Sequence, residues 1–195
     1  MPNDPTTDIS PPEKADVAVA EAVAPYRDTL PVRALSFFGK LGDQPPMFTI
    51  SGVVLGAGLL TGNKRLARAG LRMVAANSVA TLAKNFVKHR INRTRPELLT
   101  YEGRYEMHPG NSEDHDETSF PSGHSAGAVA TARAFIREYP KYGVPAHSAA
   151  SLIALSQIPR GAHYPTDVGA GSAIGLLAEW AVSKVMDFSG GTKRK

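Results

Sequence analysis

The sequence predicts an all-α protein: a helical bundle of about five long helices with an N-terminal amphipathic helix, the long helices crossing a membrane. Three observations lead there. Apolar residues recur at helical spacing through 66–87, 122–139, 144–158 and 168–186, and no stretch shows the period-2 alternation of a half-buried strand. Residues 44–63 carry no charge and have about the length a bilayer span needs. Small residues recur four apart (Gly52 with Gly56, Gly58 with Gly62, Gly171 with Gly175), a spacing that lets helices approach closely.

Taken in order, residues 1–16 are Pro-rich and acidic and are expected to be disordered or loosely attached. Residues 17–188 form the bundle domain, and 189–195 a basic tail ending in Lys193, Arg194 and Lys195. In 29–42, Val32, Leu35, Phe37, Phe38 and Leu41 alternate with Arg33 and Lys40, which suits an amphipathic, interfacial helix. The uncharged 44–63 follows, then an Ala-rich helix over 66–87 whose charges (Arg68, Arg72, Lys84) sit near its ends. Pro96 stops any continuation, and 97–120 reads as a polar, acidic loop. Pro121 opens the next helix and Pro140 closes it. If the five long helices span, the basic segments 64–68 and 137–141 and the tail share the cytoplasmic side. Lys88, 121–124 and His163 then meet on the non-cytoplasmic side.

The 195 residues suffice for one domain with a sizeable core. Cysteine is absent, which excludes a disulfide framework, a thiolate metal site and a cysteine nucleophile. The net charge of +4 and pI near 9.4 suit anionic substrates or membrane surfaces. The mean hydropathy of −0.20 is low for a membrane protein, and the polar N-terminus and loop account for much of it.

Three segments carry the chemistry. Lys88 and Arg95 stand seven apart, two helical turns, and could share a face, with Pro96 turning Arg95 back toward a pocket. Lysine offers a mobile point charge and arginine a planar fork for phosphate oxygens. In Pro121-Ser122-Gly123-His124, Ser122 suits an N-cap and Gly123 permits close backbone approach. The helix start favours an anion, and His124 could protonate a leaving oxygen. In the third segment His163 and Asp167 lie at i and i+4, with Pro165 suited to a first helical turn. Asp167 could accept from one ring nitrogen and leave the other to attack. Alone, each segment has an ordinary structural explanation: a basic helix end, a capped helix start, a first-turn acid. Together, in this order, they describe a pocket for a phosphate group. In 102–117, His108, Asp114, His115 and Asp116 match no metal-ligand spacing, and a mobile loop beside the pocket is expected.

The set Lys88-x6-Arg95-Pro96, Pro121-Ser122-Gly123-His124 and His163-Tyr164-Pro165-Thr166-Asp167 resembles the three-part signature of the type 2 phosphatidic acid phosphatase superfamily. That superfamily includes membrane lipid phosphatases, soluble class A acid phosphatases and vanadium haloperoxidases. The resemblance covers 44–186. It implies metal-independent hydrolysis of a lipid phosphate or pyrophosphate through a phosphohistidine, with no cofactor. In this family's pattern His163 is the nucleophile, Asp167 orients it, and His124 protonates the leaving group. Lys88, Arg95, Ser122 and Gly123 would bind the phosphoryl oxygens. The pattern's arginine six residues before the nucleophile is Gln157 here, and Arg160 is the candidate to replace it. The partners implied are a lipid phosphate and the membrane, with no nucleic acid; oligomeric state is left open. The alternatives are a soluble acid phosphatase, a vanadate-dependent haloperoxidase and a non-catalytic protein that binds anionic lipid.

Overall fold

The computed structural model describes residues 9–191. Eight α-helices and a two-stranded ribbon are described: α1 (Pro11–Val23), α2 (Leu30–Gly39), α3 (Gln44–Leu60), α4 (Lys64–Lys88), β1 (Ile91–Arg93), α5 (Pro96–Glu102), β2 (Met107–Pro109), α6 (Gly123–Glu138), α7 (Gly143–Leu155) and α8 (Pro165–Gly191). Helices α4, α6 and α8 pack on one another at the centre, α3 leans on α4, and α7 leans on α6.

Glycines set the closest crossings. A Cβ on Gly171 would stand 2.2 Å from the Ser122 carbonyl oxygen, and one on Gly175 2.5 Å from that of Ala126. No other residue fits there, so the start of α8 is pressed onto the start of α6. The α3–α4 crossing uses Gly58 and Gly70 in the same way. Gly52 and Gly56, expected at a helix interface, meet nothing within 4 Å.

The bundle is apolar on the outside and small or polar within. Its central cluster is Met73 with Ala76, Ala80, Ala126, Ala130, Ala134 and Ala178. Arg72 is buried among Glu138 (2.8 Å) and Ser183 (3.1 Å), and the buried Glu179 accepts from Arg137 (2.8 Å). Outside, Leu60 is 91% exposed, Leu177 65% and Val53 64%, with Leu82, Phe86 and Trp180 also exposed. Among the described residues no helix is both long and apolar enough to cross a membrane. Helix α3, the uncharged stretch, has 17 residues, about 26 Å at the α-helical rise, against a hydrocarbon thickness of about 30 Å.

Four expectations change. Residues 1–16 are not loose throughout, because α1 starts at Pro11. Glu13 accepts from the Ser10 backbone N–H at 3.1 Å, and Val17 and Ala20 pack with Leu99, Tyr105 and Tyr164. Residues 1–8, and the basic tail from Thr192, lie outside the described residues. The segment 97–120 holds α5, β2 and a 3-10 turn at His115–Glu117 rather than plain loop. An all-α reading also misses the antiparallel ribbon, where Ile91 pairs with Pro109 and Arg93 with Met107. Strands of three residues are too short to show a period. Lys88 and Arg95 do not share a helix face, since α4 ends at Lys88 and Arg95 is extended, with φ −74° and ψ 153°.

Candidate active site

The starts of α3, α5, α6 and α8 and the end of α4 converge at one end of the bundle. They enclose a cleft of about 420 Å³ lined by Lys84, Lys88, Arg95, His115, Gly123, His124 and His163, with Asp43, Gln44, Pro45 and Pro46 along one wall.

His163 is only 2% exposed. Its Nδ1 is 2.7 Å from the Ser119 carbonyl oxygen, an atom that can only accept. Nδ1 therefore carries the proton and the lone pair lies on Nε2. Asp167 was expected to take that bond. Its Oδ2 stands 3.8 Å from Nδ1, beyond a hydrogen bond but within Coulombic reach. Burial pushes the His163 imidazole below its ordinary value, against the opposing pull of Asp167. The ring is thus held neutral.

Asp167 is held from behind. Its Oδ1 accepts from Arg93 Nη1 (2.6 Å), and its Oδ2 from Ser119 Oγ (2.5 Å) and the Tyr164 N–H (2.8 Å). Arg93, itself fully buried, also donates to Asp16 Oδ2 (2.8 Å), Tyr105 OH (3.0 Å) and Thr166 Oγ1 (2.8 Å). A second carboxylate, from α1, thus balances the guanidinium that holds the first. None of Arg93, Asp16 or Ser119 was picked from the sequence. The available signal was a further arginine two residues before Arg95; nothing local ties Asp16 to a site about 150 residues away.

His124 opens α6 with its ring edge-on to that of His163, centroids 6.1 Å apart. Its Nε2 is 2.7 Å from Asp43 Oδ1, close enough for an ion pair though not aligned as a hydrogen bond.

The cations come from three elements. Lys84 and Lys88 occupy adjacent turns of α4, and Lys84 is a cleft residue that the i, i+4 spacing could have revealed. Arg95 is anchored by the His115 carbonyl (Nε, 2.8 Å) and the Ala162 carbonyl (Nη1, 2.9 Å), which leaves its remaining donors for a ligand. Its charge pushes the neighbouring His115 imidazole below the ordinary value. Gln157 is fully buried. Its Nε2 donates to the Ile153 carbonyl (3.0 Å) and Ser156 Oγ (2.9 Å), while Oε1 accepts from Arg160 Nη1 (3.3 Å). Gln157 is therefore an anchor for Arg160, whose charge is felt by Arg95, His115 and His124.

Ser122 departs from expectation. It is fully buried, its Oγ accepts from the Ser125 N–H (3.3 Å), and its own N–H donates to the Asp167 carbonyl (3.0 Å). It caps α6 and ties it to α8 instead of facing the cleft. Gly123 does line the cleft, and a Cβ there would touch Lys84 Cε and Nζ at 3.4 Å.

A model of the PAP2 superfamily matches residues 69–190, which contain every one of these cleft residues except those at the start of α3. The chain belongs to the PAP2 superfamily. Lipid A 1-phosphatases of Rhizobium johnstonii and Rhizobium etli are each 37% identical to it over 94 residues, 48% of this chain and 38% and 40% of theirs. That of Porphyromonas gingivalis is 41% identical over 63 residues, 30% of this chain and 14% of its own. The matches thus span about two fifths or less of those relatives. Among solved structures, a transmembrane PAP2 type phosphatidylglycerolphosphate phosphatase from Bacillus subtilis superposes with a TM-score of 0.67 at 22% identity, over 96% of this chain and 90% of the other. Aquifex aeolicus LpxE gives 0.64 at 19%, over 92% and 98%. At those identities the likeness is one of fold, and this PAP2 chain shares it along nearly its whole length.

Proposed function

We propose that the protein is a membrane lipid phosphatase that cleaves a phosphate or pyrophosphate ester through a phosphohistidine, without metal. The observation that carries this is His163: neutral, with its Nε2 lone pair left over, in a cleft lined by Lys84, Lys88 and Arg95. His163 Nε2 attacks phosphorus in line as the bond to the leaving oxygen breaks. His124 gives that oxygen its proton. Lys88, Arg95, Gly123 and Arg160 hold the phosphoryl oxygens, with Lys84 as a further cation. A water then attacks the phosphohistidine, its proton passes to His124, and phosphate leaves. The work is positioning and charge stabilisation. The curated relatives' activity on lipid A supports this substrate class.

A lipid is favoured over a small phosphomonoester by an apolar groove of about 380 Å³ between α3, α6 and α7. Leu41, Met47, Ile50, Phe135 and Ile153 are among its lining. It meets the cleft at the start of α3, where Asp43 belongs to one and Met47 to the other. The exposed leucines, valines and Trp180 around an alanine core support a bundle embedded in lipid, with helices shorter than the bilayer accommodated by local thinning. In this arrangement the bundle is multi-pass and the cleft opens on the non-cytoplasmic face.

Detergent-purified protein with EDTA is given diacylglycerol phosphate, lipid A 1-phosphate and a polyprenyl pyrophosphate, beside His163→Ala. Release by the wild type alone, with an acid-labile phosphoenzyme trapped on quenching, is expected. No release by folded wild type from any substrate would turn the assignment to a protein that binds anionic lipid. Because cysteine is absent, Glu113→Cys and Lys64→Cys each give a single label site. An impermeant thiol reagent on intact cells should reach only the first; the reverse pattern would overturn the topology.

A further inference from the structure

Asp43 stands at the N-cap of α3, yet its side chain caps nothing: no N–H of the first turn bonds to it. An aspartate there ordinarily accepts from the second or third residue of its helix. Here the carboxylate is turned away, with Oδ1 2.7 Å from His124 Nε2. Among the described residues it has no other partner. The approach is built in. A Cβ on the preceding Gly42 would stand 2.4 Å from Ile153 Cγ2 and 3.3 Å from both Cβ and Cδ2 of His124. The backbone leading into Asp43 is therefore pressed against the His124 ring.

The charges around that ring are otherwise cationic. Lys84 and Lys88 face the cleft from α4 and Arg95 from the start of α5, Arg160 acts from just beyond, and the neutral rings of His115 and His163 face it from the loops. Burial, together with Arg160, Arg95 and Lys84, disfavours a proton on His124. Asp43 is the only carboxylate among the cleft's lining residues. Its contact uses Nε2, and among the described residues nothing bonds to Nδ1, which is left for the substrate.

We propose that Asp43 is the positioning residue for the general acid: its carboxylate favours the imidazolium form of His124 and turns Nδ1–H toward the leaving oxygen. This rests on the phosphatase assignment above. As the bond from phosphorus to the leaving oxygen breaks, its electron pair stays on oxygen and takes the Nδ1 proton. The new bond is from His163 Nε2 to phosphorus. Asp43 takes no proton in this step and pairs with the imidazolium before transfer. The role divides substrates by leaving group. An alkoxide needs that proton, whereas p-nitrophenolate departs without it.

The test uses the full chain in detergent. Asp43→Asn keeps a residue that caps as well as aspartate. It should lower kcat on diacylglycerol phosphate about 30-fold and on p-nitrophenyl phosphate about twofold, within the range of general-acid effects. KM for the lipid should stay level or fall, since a negative charge has left a phosphate cleft. The basic limb of the kcat profile should move to lower pH, because an imidazolium without its carboxylate loses its proton more readily. Asp43→Glu should recover most of the difference between substrates. Equal losses on both substrates, no loss on either, or an unmoved basic limb in Asp43→Asn would overturn the proposal while the phosphatase assignment stands. Wild type inert on p-nitrophenyl phosphate and on every lipid phosphate of the panel above would instead overturn that assignment. Should Asp43→Asn not fold, Asp43→Ser reads the same ratio and limb.

Discussion

The two histidines of the cleft are held in opposite ways. His163 is sealed: a backbone carbonyl fixes its tautomer, and behind it Asp167, Arg93 and Asp16 form a buried relay from α8 through β1 to α1. His124 is less buried, its side chain 16% exposed against 3% for that of His163, and lies against a carboxylate that is 47% exposed and has one contact. The difference matches what the proposed mechanism asks of each ring. A nucleophile must present one lone pair along one line, so rigidity and a fixed tautomer help it. A group that gives and retakes a proton must meet the leaving oxygen and then a water, and a ring that is less buried and keeps one nitrogen free toward the cleft does this better.

The comparison can be broken hardest at the nucleophile. His163→Ala should reduce turnover by more than about 10⁴-fold, since it removes the proposed nucleophile. Phosphate release and phosphoenzyme trapping both measure it, and appreciable residual trapping would mean that another residue is attacked. Next comes the relay. Arg93→Met strands two buried carboxylates, and removing one partner of a buried pair costs about 3–5 kcal/mol. Thermal unfolding in detergent should show a large loss for Arg93→Met and a small one for Asp43→Asn. Equal losses would erase the distinction between the sealed and the open histidine.

At the cleft's edge, Arg160→Ala should lower kcat/KM on the order of 10²-fold, the usual cost of a donor at a developing charge. Gln157→Ala should give part of that loss, because it frees the Arg160 guanidinium. An Arg160→Ala enzyme with full activity would show that this PAP2 site needs no cation there. The smallest effect is in pH. Burial lowers the His163 value, so its neutral, attacking form persists below the ordinary imidazole range, and the acid limb of kcat/KM should lie below about pH 6.5. Asp167→Asn removes a charge that favours the imidazolium, so the limb should move further to acid even as kcat falls. A limb that moves toward neutral pH would mean that Asp167 acts on some other group.

Much of the cleft was legible because its parts are local. Pro121 to His124 starts a helix by composition alone, and Pro165 fixes the turn that carries His163 and Asp167. Lys88, Arg95, Gly123, His124 and His163 all reach the cleft. Ser122 misled because its residue type suits both a cap and a phosphate, and only the packing of α8 takes its N–H. Gln157 stands where the family's pattern has an arginine, and its carboxamide holds the arginine three residues on. The ribbon and α5 were hidden in a polar segment whose order comes from pairing with β1 rather than from any periodicity.

By itself the sequence determined the helical class, the starts of α6 and α8, and the residue types that make a phosphate site, because capping, proline geometry and helical spacing act within a few residues. Only the tertiary structure decided what stands behind and beside the two histidines. Asp16, Arg93, Ser119 and Asp43 lie far from their partners in the chain. Their pairing depends on glycine contacts that press α8 onto α6 and on α1 docking over Leu99 and Tyr105, and burial and distance of that kind have no local signature.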